Sequence, residues 1–266
     1  MPAALLLLAG LLFGFAERAD TRAPREAPSY SGASIVNAAD NQPGWLAPNT
    51  IATLYGSELA YTTKAITSAD IHDGLLPTVL PGTGVRILIG GLPAVIYFVS
   101  PGQINFLIPS LLLPGPSDLQ LAIDGRSGPD LPIQIAPAAP ALFQLDQGTV
   151  VATRADGSVI SPNAPATPGD YVILYATGLG QTVPPVIYGQ VPTGAANLKQ
   201  MADLRIMLDG VAVDPSRIAY AGIAPGFAGL YQINLKLPDT TGANPEIRVG
   251  LADQLSRAGI RLPVRP

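Results

Sequence analysis

One heptapeptide occurs twice in this chain. Gln103-Ile104-Asn105-Phe106-Leu107-Ile108-Pro109 returns as Gln232-Ile233-Asn234-Leu235-Lys236-Leu237-Pro238. The segments ahead of the two copies correspond as well. Val85-Arg86-Ile87-Leu88-Ile89-Gly90-Gly91 parallels Leu204-Arg205-Ile206-Met207-Leu208-Asp209-Gly210, and Ala47 to Leu59 parallels Thr167 to Leu179. The first two correspondences run at a spacing of about 120 residues and the heptapeptide at about 130, so roughly ten residues are added in the second copy. The chain is a tandem duplication, and its fold has to be one that can be built twice.

The local pattern within each copy is period two. Val85, Ile87 and Ile89 alternate with Arg86 and Leu88; Ile104, Phe106 and Ile108 alternate with Gln103, Asn105 and Leu107. Leu119, Leu121 and Ile123, then Ile247, Val249 and Leu251, repeat the rhythm. Alternation of this kind is the mark of strands with one buried face. Gly90-Gly91, Asp124-Gly125, Asp156-Gly157 and Asp209-Gly210 supply turns. The pattern predicts hairpins of Val85–Ile89 with Ala94–Val99, of Leu119–Ile123 with Leu131–Ile135, of Val150–Thr153 with Ser158–Ile160, and of Leu204–Leu208 with Arg217–Tyr220. Tyr171 to Tyr175 is apolar throughout, which fits a strand covered on both faces. Residues 60–83 read as a long connection or an edge strand. No segment after the N-terminal run shows sustained helical spacing, so helix is expected to be minor.

About seven short strands per copy, in some 110–125 residues, are the size and rhythm of an immunoglobulin-like sandwich. The fold class is therefore all-β, with two tandem immunoglobulin-like β-sandwiches at 29–136 and 137–266. Ala136-Pro137-Ala138-Ala139-Pro140 forms the boundary, a stiff extended joint expected to add no side chain to a core.

Composition narrows the function. The 266 residues are 48% hydrophobic and only 13% charged, with 28 Gly and 28 Pro, which suits many short strands and turns better than disorder or helices. The net charge of −4 and the absence of a basic stripe exclude a nucleic-acid surface of the usual kind. There is no cysteine, which removes disulfides, thiolate metal sites and a cysteine nucleophile together. One histidine, His72, is all that a relay or imidazole metal site could draw on.

Residues 2–16 carry no charge and are too few for a spanning helix, which needs about 20 residues. They fit a signal-peptide core, with Gly14 and Ala16 as the small residues before a cleavage point after Ala16. Residues 17–28 are charged and punctuated by proline, a solvated linker. The expected location is secreted or extracytoplasmic, at the cell surface, with no membrane span once residues 1–16 are removed.

The chemistry-bearing residues are few. Gly178-Leu179-Gly180 lacks the Gly-Lys-Ser/Thr ending of a phosphate loop and reads as a turn after a strand. Asp203, Asp209 and Asp214 could be grouped as calcium ligands, but two sit beside turns, where Asp serves the backbone. Glu58 and Glu246 lie in no glycosidase-like motif, and His72 reads as a solvated loop residue. Trp45, Tyr61, Tyr188 and Phe227 are candidates for a sugar-stacking platform, or else core and corner residues. Gln103 with Asn105, and Gln232 with Asn234, put two amides on one face of a strand. They either read sugar hydroxyls or satisfy neighbouring polar groups, and the second reading is the better supported. No catalytic, cofactor-binding or metal residue is assigned.

The sequence also resembles the Solibacter-type C-terminal domain family of acidobacterial extracytoplasmic proteins. The residues that carry the resemblance are Ile35-Val36-Asn37-Ala38-Ala39, Ala47-Pro48-Asn49-Thr50-Ile51, Val99-Ser100-Pro101-Gly102-Gln103-Ile104-Asn105, Ile135 to Pro140, Leu174 to Gly180 and Gly222 to Asn234. It covers nearly everything after the linker. The resemblance implies IPT/TIG-type immunoglobulin-like modules in a surface or secreted setting and brings no catalytic residues. The expected function is that of a non-enzymatic secreted or cell-surface module with a structural, adhesive or protein-contact role, the Ile223–Tyr231 loop being the proposed contact. The alternative is a polysaccharide-binding module, and an extracellular hydrolase ranks behind both. The expected partners are cell-surface protein or polysaccharide, with no cofactor.

Overall fold

The computed structural model describes residues 26–266 apart from Gln147 and Ala252. Residues 1–16, expected to be a signal segment, and residues 17–25 of the expected linker lie outside the described residues. The described chain is all-β, with four 3-10 segments of three residues each as its helical content. None of its helices is long and apolar enough to cross a membrane.

The first half supplies β1 (Ile35–Asn37), β2 (Ile51–Tyr55), β3 (Lys64–Ala65), β4 (Val85–Ile89), β5 (Leu92–Pro93), β6 (Val95–Val99), β7 (Gln103–Leu107), β8 (Gly115–Ile123) and β9 (Arg126–Ile135). They form a five-stranded sheet in the order β1-β2-β7-β6-β3 and a four-stranded sheet in the order β5-β4-β8-β9. The second half supplies β10 (Ala141–Leu142), β11 (Ala152–Thr153), β12 (Val159–Ile160), β13 (Tyr171–Thr177), β14 (Thr182–Val183), β15 (Ala196–Leu198), β16 (Leu204–Leu208), β17 (Val211–Ala212), β18 (Ile218–Ile223), β19 (Tyr231–Lys236), β20 (Ile247–Leu251) and β21 (Gln254–Leu255). Its larger sheet runs β12-β11-β13-β19-β18-β15-β14, with β10 also on β13, and its smaller one runs β17-β16-β20-β21. All these pairings are antiparallel.

Alternation does the work that the sequence assigns to it. In β4, Val85, Ile87 and Ile89 are buried and Arg86 and Leu88 exposed. The register sets them opposite Ile123, Leu121 and Leu119 of β8. In β16, Leu204, Ile206 and Leu208 face Leu251, Val249 and Ile247 of β20 in the same way. Each smaller sheet therefore offers a double row of branched side chains to the larger sheet of its own half. One buried cluster joins the two sheets of the first half and contains Leu54, Ile96, Ile104 and Phe106 beside the β4 and β8 residues. A second joins those of the second half.

Two hairpins are shorter than the sequence suggests. Gly90-Gly91 turns β4 only into β5, and the chain then crosses to the larger sheet, where β6 lies between β7 and β3. β6 is buried at every position. A strand covered on both faces needs a central place, which the edge beside β4 cannot give, and Pro93 has no N–H to extend that ladder. The second copy repeats the crossing. Asp209-Gly210 turns β16 into β17, and β18 then joins the other sheet between β15 and β19. The hairpins β8–β9 and β11–β12 form as expected.

The 136–140 joint also differs from expectation. Ala136 and Ala138 are buried, and Ala138 belongs to the second half's core. The joint is pressed against the turn after β13, where Ala139 N donates to Gly178 O at 2.8 Å. Gly178 has φ +76°, and a Cβ there would stand 2.0 Å from Ala139 O. Only glycine allows this approach of two backbones.

Candidate functional site

The Gln-Ile-Asn signature is used internally in both copies. Gln103 Nε2 donates to Asn105 Oδ1 at 2.9 Å, and Gln232 Nε2 donates to Asn234 Oδ1 at 2.7 Å. Asn105 also accepts from the Thr53 hydroxyl across the strand pair, at 3.0 Å. Asn105 is fully buried while Asn234 is half-buried. The amides satisfy one another along a pleat, as buried polar groups must.

The outer faces of the two larger sheets meet. A third buried cluster is drawn from both halves: Ala39, Ile51, Leu76, Val95, Tyr97 and Leu107 from the first, and Ala141, Phe143, Val151, Tyr175, Ala224, Ala228 and Leu230 from the second. This is why Val172 to Ala176 is apolar, whereas Tyr171, at the strand end, is exposed and not covered on both faces. Val172, Leu174 and Ala176 face their own core, and Tyr175 faces the junction. The Ile223–Tyr231 loop, expected to be a contact surface, is instead packed inside this junction, because its Ala224, Ala228 and Leu230 have an apolar face to cover.

Polar atoms at the junction are paired across it. Thr177 Oγ1 accepts from Ile51 N at 2.9 Å and donates to Gly229 O at 2.8 Å. The Tyr97 hydroxyl donates to Ala228 O at 2.9 Å. The Tyr188 hydroxyl donates to Pro93 O at 2.6 Å and accepts from Val95 N at 3.1 Å. Burial raises the Tyr188 phenol to about 12 against the pull of the Val95 N–H, and burial raises that of Tyr97 further. Backbone bonds Leu76 N to Gly189 O and Val191 N to Gly74 O close one side.

The four aromatics singled out in the sequence do not form one platform. Trp45 is 55% exposed on a loop of the first half. Tyr61 packs against the first core and accepts a hydrogen bond from the Arg126 guanidinium. Tyr188 and Phe227 pack into the junction. Three of the acidic candidates accept from backbone N–H groups. Asp209 Oδ1 accepts from Glu246 N at 2.8 Å, Asp214 Oδ1 from Ser216 N at 2.9 Å, and Glu246 Oε2 from Gly259 N at 3.1 Å. No group of three metal-ligating side chains converges among the described residues. His72 bonds Leu75 through its backbone. Gly178 and Gly180 are turn residues with φ +76°.

One further site is not announced by the sequence. A cleft of about 520 Å³ opens at the rim of the junction. One wall is the loop after β1, with Asp40 and Asn41; the other is the segment after β10, with Phe143, Gln144 and Leu145, joined by Arg257. Asn41 has φ +54° and its Oδ1 accepts from the Tyr55 hydroxyl at 3.0 Å, which fixes its amide. Asp40 Oδ1 accepts from Gln42 N at 3.0 Å. Burial raises the Asp40 carboxyl above the ordinary range, opposed by the Gln42 N–H and by the charge of Arg257. Arg257 forms no ion pair among the described residues. Asp146 also lines the cleft, but its carboxylate is taken up by Gly148 N, Thr149 N and the Thr149 hydroxyl. The sequence signal was the polar run Asp40-Asn41-Gln42. Its partners lie more than a hundred residues away, which spacing cannot show.

No family model matches the chain, and no curated protein matches it. Among solved structures it is similar to the Bacteroides ovatus surface glycan-binding protein B of a mixed-linkage glucan utilization locus, in complex with a mixed-linkage heptasaccharide. The identity is 13%, covering 91% of this chain and 46% of that one, with a TM-score of 0.34. The Prevotella bryantii surface glycan-binding protein PbSGBP-B matches at 12% identity, over 89% of this chain and 42% of that one, with a TM-score of 0.28. The tandem immunoglobulin repeats of Dlar match at 12% identity, over 84% and 92%, with a TM-score of 0.22. The chain spans less than half the length of the two glycan-binding proteins. Identities and TM-scores at this level leave the functional reading to the chain's own residues.

Proposed function

We propose that this chain is a non-enzymatic, secreted or cell-surface module of two tandem immunoglobulin-like β-sandwiches, 29–136 and 137–266. It holds two units in one fixed relation for a structural, adhesive or protein-contact role. The proposal keeps the Solibacter-type family as the chain's affiliation and residues 1–16 as its export signal. The observation that carries it is the junction. An apolar cluster, Thr177 and two tyrosine hydroxyls tie the outer faces of the larger sheets together, and such a contact resists bending between the units. The Gln-x-Asn amides of both copies bond to one another, and Asp209 and Asp214 accept from backbone N–H groups.

Small-angle scattering of the purified chain tests the structural reading. One rigid profile, unchanged between low and high salt, is the expected result, and a profile needing two bodies that move independently would refute it. Mass spectrometry of the exported protein should find a new N-terminus at Glu17. Hydrolysis of chromogenic glycosides, esters or phosphates above the buffer rate would remove the non-enzymatic part.

A further inference from the structure

We infer that the cleft at the rim of the junction is a binding site for a small neutral polyhydroxylated ligand, a saccharide of about two residues, held between the halves by Asp40, Asn41, Gln144 and Arg257. The inference goes beyond the structural role and does not depend on it.

Open hydrogen-bonding capacity is the first observation. Most polar side chains singled out above are engaged by their own segment. In the cleft, Asp40 accepts only from backbone N–H, and Asn41 has its oxygen bonded to Tyr55 and its amide nitrogen left over. The Gln144 and Arg257 side chains make no hydrogen bond among the described residues. Two groups that accept (Asp40 and Gln144) therefore lie in one cleft with three that donate (Asn41, Gln144 and Arg257). A sugar hydroxyl both donates and accepts, so adjacent hydroxyls can use such a mixed set.

Charge and shape narrow the ligand. Two carboxylates, Asp40 and Asp146, line the cleft against one guanidinium, so an anionic ligand is disfavoured, and the capacity of Asp146 is already spent on its own loop. Half-buried Leu145 supplies apolar surface to the same cleft, where the C–H face of a sugar ring can lie, and Phe143 is buried behind it. The volume of about 520 Å³ falls in the range of small-molecule sites and is far larger than an amino acid zwitterion fills. Asp40 and Arg257 are not in ion-pair contact, which leaves a gap that a ligand hydroxyl can bridge.

Isothermal calorimetry on the full exported chain tests this, with cellobiose, laminaribiose and maltose as probes and with glutamine as a zwitterionic control. At least one disaccharide should bind saturably, glutamine should not, and binding should raise the melting temperature. Asp40→Asn and Arg257→Met should each weaken binding about tenfold or more, since each removes a charge-assisted hydrogen bond. Tyr171→Ala, on an exposed strand end elsewhere, should leave it unchanged. Arg257 is exposed, so its variant keeps the test meaningful if the Asp40 change disturbs folding. Failure of all three disaccharides to bind, binding that ignores both cleft variants, or preferential binding of glutamine would each overturn the inference.

Discussion

Thr177 shows how much one side chain decides here. Its hydroxyl accepts from Ile51 N of one half and donates to Gly229 O of the other. Thr177→Val keeps the shape and strands both backbone partners in a buried place. We expect a loss of about 2–4 kcal/mol in urea unfolding, with Thr177→Ser recovering most of it. A loss under about 1 kcal/mol would show that water can replace the hydroxyl. Asp70 acts on a different lever. The Thr67 hydroxyl at 2.8 Å, Lys64 Nζ at 3.0 Å and the Thr67 N–H at 2.9 Å hold its carboxyl down to about 2. Its folded value lies below the unfolded one, so its contribution is present above about pH 4 and is lost as pH falls toward about 2. Thermal unfolding followed across that window should show an acid-dependent fall that is smaller in Asp70→Asn.

At the scale of elements, the duplication offers an internal comparison. β7 and β19 carry the same Gln-Ile-Asn, yet Asn105 is buried beneath the junction side of its sheet and Asn234 is half-buried. Asn105→Ala leaves the buried Thr53 hydroxyl without its acceptor and should cost about 2 kcal/mol. Asn234→Ala faces Ile173 across the ladder and should cost under about 1 kcal/mol, because water reaches Gln232. Equal losses in a urea titration of the two variants would mean that the motif has one role in both copies. The strands themselves were legible. Alternation named the buried rows of β4, β8, β16 and β20 correctly, since period two is a property of the backbone. The crossings after β5 and β17 were not, because a turn signal says where a chain reverses and not which neighbour the next strand takes.

The whole molecule depends on a contact between two faces that look alike in sequence. Gly229 sits where they meet, with φ +79°. A Cβ there would stand 2.5 Å from Leu107 Cδ1, 2.8 Å from Ile51 Cγ1 and 3.0 Å from Asn49 O. Gly229→Ala should therefore push the halves apart while leaving both smaller sheets intact. Calorimetry is expected to give one transition for the parent chain and two for the variant, and two transitions in the parent would contradict a junction that couples the halves.

By itself the sequence determined that this chain is built of antiparallel strands, that it is built twice, and where its tight turns fall. These follow from local rules: side-chain alternation, glycine at positive φ, proline without a donor. The tertiary structure decided everything that joins distant segments. It turned the Ile223–Tyr231 loop inward, because an apolar loop is covered by whatever apolar face the other half presents. It drew Ala138 into a core. It brought Asp40 and Asn41 to Gln144 and Arg257, a set no spacing announces, since sequence records which side chains a strand or loop carries and only packing records which of them share a space.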